Sequence, residues 1–421
     1  MATFCSPSKN LTDDSGAAGK RALSAVPIAV GLLTGGRDKH YAFGLTMALV
    51  ANGVCLDVIG SDQIDSPEMH SAPRLSFMNL YDGRVQEAGL VGKACRVLLS
   101  YARLVHYAAI AKPRVLHILW DYKFPFFDRT VLMIYYRLLS KKIALTAHNV
   151  NAGKRDSNDS LLNRLTLKIQ YRIADHIFVH TQKMKNELVE EFGVGQQAIT
   201  VIPYGINNSV PDTDVTPHQA KQRLGIKDNE KTILFFGNIG PYKGVEFLVA
   251  AFQMLARKRA DYRLIIAGKL RGGAEKYWED IRNAIGRDVS GGRVMQKIEF
   301  VPDEETELYF KAADVLALPY TEIYQSGVLF LGYSFGLPVI ATDVGSLGEG
   351  VVEGRTGFLC RPGDPNELAH TIETYFESDL FRELNSRREE IRAYARAQHS
   401  WDAVAQTTRA VYEKLAGSEA F

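Results

Sequence analysis

Cysteine is scarce: four among 421 residues (Cys5, Cys55, Cys95 and Cys360), with no CxxC pair and no zinc-type spacing. That excludes a disulfide scaffold and a thiolate metal site, and it fits a reducing compartment. Long apolar runs are missing too, since none approaches the roughly 20 residues that span a bilayer. Charge of one sign is also lacking. Lys and Arg number 50 against 48 Asp and Glu, a net charge of +2, and no nucleic-acid partner is expected. The phosphate loop GxxxxGK[ST] does not occur, and Gly31, Gly35 and Gly36 do not complete a GxGxxG fingerprint. The first 26 residues hold no apolar segment and read as a disordered tail rather than a signal peptide. The expectation is a cytoplasmic protein, or one resting on the cytoplasmic face of a membrane.

What is present is alternation. The run VPIAVGLL ends at Thr34-Gly35-Gly36, a helical pattern follows over 40–52, and VCLDVIG is a second strand. RVLHILW, KIALTAH, HIFVHT and AITVIPYG continue the series, with helical stretches between them. TILFFGNIG, RLIIAGK, KIEFVP, VLALPY, PVIATD and GFLCRP form a second series. Strands apolar on both faces indicate parallel sheets covered on both sides. The fold class is therefore α/β: two Rossmann-like, doubly wound parallel-sheet domains facing a central cleft. An N-terminal domain is expected over 27–205, a Pro-, Asn- and Asp-rich linker over 206–228 and a C-terminal domain over 229–395. A last helix over 396–421 would pack back on the first domain. The first 210 residues hold 24 basic and 17 acidic side chains and the rest 26 and 31, so the two lobes suit different partners.

Two turns in the second lobe carry chemistry. In ILFFGNIGPYKG (233–244) a buried strand ends in glycines and Lys243, and the helix VEFLVAAF follows. Glycines admit an anion close to the backbone, the helix start offers free N–H groups, and Lys243 adds a positive charge. A helix terminus contributes only about 0.3–1 kcal/mol for an anion, so a diphosphate needs the lysine as well. In 314–345 a strand ends at Pro319, the turn TEIYQSG follows, and Ser326 and Gly327 open an apolar helix. The plain alternative for each turn is a capped loop with solvated side chains. Two helix starts from one lobe, gripping opposite sides of one diphosphate, are the more specific reading.

In order along the chain, FGNIGPYKG, IAGK, FVPDEETELYFKAADVLALPY, QSGVLFLGYSFGLPVIATDVGSLGE and EGRTGFLCRPGDPNELA resemble the C-terminal domain of the group 1 (family 4-like) retaining glycosyltransferases of GT-B fold. Weaker matches in LLTGGRDKHYAFGLTMAL, VLHILW, ALTAHNV and ADHIFVHTQKMKNEL extend the resemblance over about 27–395. It implies a nucleotide-sugar donor held by Gly237, Asn238, Lys243, Lys269, Glu322, Gln325, Ser326 and Gly327, with Gly35 and Gly36 approaching from the other lobe. His148 and Lys243 are the implied catalytic residues, His148 orienting the donor sugar. His40 is a weaker candidate, and His117, inside a strand, is assigned a structural role. The chain departs from the family's E-x(7)-E signature, with Ile323 and Leu331 at the two glutamate positions and Glu322 beside the first; the QSG run resembles a subset of relatives. Asn238 stands where the lysine's usual arginine partner would be.

The implied reaction moves a sugar from a UDP- or GDP-sugar to a glycan or lipid-linked acceptor with retention of configuration, without a divalent metal or other cofactor. The one DxD, Asp212-Thr213-Asp214, falls in the expected linker and reads as solvated loop. Two basic, apolar stretches, 93–114 and 122–142, suit either helices packed on the sheet or an anionic membrane surface as a further partner. An epimerase or hydrolase of nucleotide sugars on the same fold, and a catalytically silent binding subunit, stay open as rival readings.

Overall fold

The computed structural model describes residues 28–81, 90–156, 158–207, 210–288 and 292–417; the tail expected over 1–26 lies outside them. The first sheet comprises β1 (Ala29–Leu33), β2 (Cys55–Gly60), β3 (Leu75–Asn79), β4 (Val115–Ile118), β5 (Lys142–Thr146), β6 (His176–Val179) and β7 (Ile199–Val201). They lie in the order β3-β2-β1-β4-β5-β6-β7, every pair parallel. The second comprises β8 (Lys231–Phe236), β9 (Tyr262–Ala267), β10 (Val294–Lys297), β11 (Val315–Leu318), β12 (Val339–Thr342) and β13 (Gly357–Cys360). Its order is β10-β9-β8-β11-β12-β13, again all parallel.

Burial explains why these runs are strands. Every residue of β2, β4 and β11 is buried, as a parallel sheet clad on both faces requires. In the first lobe the core divides into two clusters, one containing Leu116, Ile143 and Tyr136 and the other Val30, Leu56 and Phe178. The second lobe has one large cluster around Phe235, Ile265, Leu316 and Ile340. In each sheet the strand order reverses at one place, between β1 and β4 and between β8 and β11. Ligands of open α/β sheets bind outside the carboxyl ends of the strands at such a reversal.

Three readings of the sequence change. The strand expected over KIEFVP lies earlier, at β10, because 298–302 leads straight into the helix Asp303–Ala312 with Pro302 at its cap. β3 escaped notice because it is a sheet edge, none of its residues fully buried. The stretch expected as linker is largely folded onto the second lobe. It holds the helix Pro217–Arg223, started by a Thr216/Gln219 capping box, and Lys221 Nζ meets Asp314 at 3.0 Å. The DxD within it is tethered rather than freely solvated. Asp212 pairs with Lys311 at 2.8 Å, and the Thr213 amide and hydroxyl both donate to Glu307 at 2.8 Å.

The last helix, Trp401–Gly417, leaves the second lobe and packs on the helix Lys39–Ala51 of the first. Tyr412 there bonds His117 Nδ1, whose Nε2 meets Thr146. His117 is thus a fully buried structural residue. Trp401 donates its indole N–H to the Ile206 carbonyl at 2.8 Å. Its ring lies where Gly44 and Gly205 leave room, since a Cβ on either would come within 2.3 Å of the indole.

Gly44→Ala should therefore cost about 1–3 kcal/mol by overpacking. Gly286→Ala, whose Cβ would meet nothing within 4 Å, should be neutral or slightly stabilising. Urea unfolding of the two variants tests this, and equal midpoints would refute the wedge.

Candidate active site

The two turns singled out in the sequence emerge from neighbouring strands. After β8 the chain runs through Gly237 and Asn238 into a one-turn 3-10 helix, Pro241–Lys243, and then the helix Val245–Lys258. Gly244 between them has φ +62°, and a Cβ there would lie 2.0 Å from the Pro319 carbonyl oxygen. Only glycine lets the first turn lie against the second so closely. The Thr321 amide also donates to the Tyr242 carbonyl at 3.0 Å. The turn after β11 then delivers Ser326, 3% exposed, as cap of the helix Gly327–Ser334. The first amides of that helix have no partner within it.

Lys243 is buried, 7% exposed. Its Nζ lies 3.6 Å from the centre of the Tyr320 ring, and the Tyr320 hydroxyl reaches Ser326 Oγ at 3.4 Å. One tyrosine therefore bridges the ammonium of the first turn and the cap of the second. Burial, and next the charge of Arg155, push the Lys243 amine down to about 7.

Lys243 and Ser326 line a cavity of about 500 Å³ between the lobes, together with Gly237, Asn238, Gln325 and Gly327. Gln325 Oε1 is buried there without a partner. Asp38, His40, Tyr41, Arg155 and Tyr204 of the first lobe form the opposite wall. The lobes are tied across the cleft at both sides. Lys39 and His40 reach Asp303, at 2.5 and 3.4 Å, holding that carboxyl down at about 2. Arg271 forks onto Asp156 at 2.9 and 2.6 Å.

His148 lies elsewhere. It is buried behind Tyr41, with the rings edge-on at 4.6 Å, and stacks on Trp120 at 4.1 Å. It lines a cavity of about 140 Å³ within the first lobe, with Arg37, Asp121, Arg129 and Gln170. Its tautomer follows from its neighbours. The Ile202 carbonyl can only accept, so His180 Nδ1 carries a proton, and His180 Nε2 accepts from His148 Nδ1 at 3.0 Å. Burial keeps both rings neutral. His148 Nε2 is thus left as a bare acceptor, and it is buried without a partner.

The remaining expected site residues scatter. Gly35 abuts the Trp120 carbonyl and Gly36 abuts Ser61 and Tyr81. Glu322 faces a neighbouring interlobe cavity of about 600 Å³ on the other side of Tyr242. Lys269 is exposed, its Nζ 5.8 Å from the Phe300 ring. Sequence reasoning missed Tyr320, Tyr242, Arg155 and Tyr204. Tyr320 sat within the quoted ALPY run, beside the expected turn. Arg155 carried no signal, because its place opposite Lys243 exists only once the lobes face each other.

Comparison with known proteins agrees with this geometry. Sucrose-phosphate synthase from Thermosynechococcus elongatus superimposes with a TM-score of 0.75 at 20% identity, over 93% of this chain and 100% of that one. HepE of Anabaena in complex with UDP-glucose gives 0.71 at 17% identity, over 92% and 100%. The architecture is that of the GT-B glycosyltransferases. A family model described as "Glycosyl transferases group 1" matches residues 230–378 and one described as "Glycosyltransferase Family 4" matches 39–210. Each lobe thus carries a domain that matches a glycosyltransferase family model. A D-inositol 3-phosphate glycosyltransferase of Corynebacterium diphtheriae is 29% identical over 284 residues, 63% of this chain and 64% of that protein. The matches span a little under two thirds of the length of such curated relatives.

An anion beside Lys243 favours the ammonium form. Above pH 7, binding of UDP should therefore take up a proton, the uptake growing as pH rises from 6 to 8.5. Calorimetry in two buffers of different ionisation enthalpy reads it directly. Heats independent of buffer would contradict the assignment, and Lys243→Met should abolish the uptake.

Proposed function

We propose that this chain transfers a sugar from a nucleotide-diphosphate sugar, of which a UDP-sugar is the first choice, to a glycan or lipid-linked acceptor, with retention of configuration. The observation that carries this reading is the buried ammonium of Lys243, held on Tyr320 beside the Ser326 helix start, in a cavity between the lobes. Charge develops on the diphosphate as the anomeric C–O bond lengthens. A preorganised cation and free amides in a water-poor cleft stabilise that charge far better than water does. The acceptor hydroxyl attacks on the face the leaving group departs from, its oxygen bonding to the anomeric carbon. Its proton passes to the departing phosphate oxygen, leaving a glycoside and a nucleoside diphosphate. In this scheme Lys243 and the helix start do the electrostatic work, and no divalent cation is required. His148, a bare acceptor at Nε2, orients a hydroxyl of whichever sugar or acceptor group enters the smaller cavity it lines.

HepE, similar in fold, has been crystallised with UDP and UDP-glucose, which supports the choice of donor. For the acceptor, the support is the outer face of the first lobe. Leu98, Leu99, Phe126, Leu138 and Leu161 are exposed there on helices that also present Lys93, Arg103, Arg137 and Arg164, and Lys123 and Phe124 are exposed in the turn before Pro125. Apolar side chains among basic ones suit an anionic membrane surface that carries a lipid-linked acceptor.

Lys243→Ala should lower transfer about 100-fold or more while the protein stays folded, as read by nucleoside diphosphate release from the donor; wild-type turnover would defeat the proposal. His148→Ala should reduce turnover more than UDP affinity, and an equal loss of both would argue against an orienting role. Flotation with vesicles of anionic lipid at low salt should carry the protein upward, and salt should release it. A protein left at the bottom at low salt would remove the membrane from the scheme.

A further inference from the structure

The diphosphate of a nucleotide sugar carries about two negative charges at neutral pH, and Lys243 supplies one positive charge at most. Among the described residues, the second lobe offers no other lysine or arginine to that cavity, and position 238, which lines it, is asparagine. Among the residues lining it, Lys243 is joined by one further permanent cation, Arg155, and it comes from the first lobe.

Arg155 is placed by its own lobe. Its Nε and Nη2 fork onto Asp156 at 2.8 and 3.0 Å, and Nη1 reaches Asn149 Oδ1 at 3.3 Å. Of the five N–H groups of a guanidinium, two remain to meet a ligand. The group lies 5.1 Å from the centre of the Tyr242 ring and Lys243 Nζ lies 5.2 Å from the same centre. The two charges are therefore no more than about 10 Å apart. With charge-assisted bonds of about 2.8 Å at each end, even that upper bound leaves a gap no wider than a diphosphate spans. Arg271, which stacks on the same tyrosine at 5.5 Å, lines only the neighbouring cavity and forks onto Asp156. It serves to hold the shared carboxylate, whose two oxygens are claimed by both arginines.

Resting on the donor site described above, we infer that Arg155 is the second cation of the diphosphate site: the first lobe supplies the positive charge that Asn238 does not. The donor is thus gripped from both lobes, by Lys243 and the Ser326 helix start on one side and by a guanidinium on the other. Asp156 keeps that guanidinium aimed into the cleft while the cleft is empty.

The test measures UDP and uridine affinity by calorimetry for the wild type, Arg155→Met, Asp156→Asn and Arg155→Met/Asn238→Arg, each checked for an unchanged melting transition. Arg155→Met should weaken UDP about ten- to a hundredfold and leave uridine unaffected. Adding Asn238→Arg, which returns a cation to the same cavity from the other lobe, should recover most of the loss. Asp156→Asn breaks the ion pair between the lobes but keeps both cations, and should weaken UDP far less than Arg155→Met does. The proposal is overturned if Arg155→Met binds UDP like the wild type, or weakens uridine equally. It is also overturned if Asn238→Arg restores nothing, or if Asp156→Asn loses as much as Arg155→Met, since the lobe contact and not the charge would then be at work. A wild type that binds no UDP, GDP, ADP or inorganic pyrophosphate would instead overturn the donor site itself, and this inference with it.

Discussion

The Lys243 amine over the face of Tyr320, almost sealed from water, is the interaction around which the cleft is organised. Burying a cation costs several kcal/mol unless something compensates, and here the compensation is partial: an aromatic quadrupole and, among the described residues, no carboxylate. The result is an amine whose pKa is pushed down to about 7, so that a neighbouring anion would favour its charged form. Holding it there fixes much else. Gly244 must be glycine so that the first turn reaches Pro319. Tyr320 must follow β11 at once, so that its ring meets Lys243 and its hydroxyl meets Ser326.

The first lobe answers this arrangement with side chains rather than backbone. Tyr41 and Tyr204 wall the cleft, Tyr204 stacking on Phe330 of the second lobe at 5.2 Å, while Asp156 and Asp303 each bind cations across the gap. Exposed ion pairs of this kind contribute little to stability. Their effect is on geometry, because they set how far apart the two halves of the site stand.

How much of this was legible depended on whether the signal was local. The strands, the two turns and Lys243 could be read because each is a short run whose physics is self-contained: apolar residues, then glycine, then a helix start. Ser326 and Gly327 followed from the same logic. The contents of 206–228 were misjudged because proline, asparagine and aspartate look alike in a free linker and in a strap tied down by Lys311 and Glu307. His148 was correctly placed at a strand's end, but nothing local could say that Tyr41 would stand between it and the larger cavity. Arg155 was invisible for the same reason: its meaning lies in what the other lobe brings opposite it.

The return of the last helix to the first lobe has a mechanical corollary. The chain passes between lobes twice, near Gly205 and again near His399, and the two passages are stitched together by Ile206 N to His399 O at 3.0 Å, His399 Nδ1 to Tyr204 O at 3.1 Å and the Trp401 indole to Ile206 O. A single strand would let the halves swivel freely. A pair of strands pinned side by side bends like a strip of ribbon, readily in one direction and stiffly in the others. Any hinge between the lobes would therefore have to bend both passages together, which restricts how Lys243 could move relative to the wall facing it.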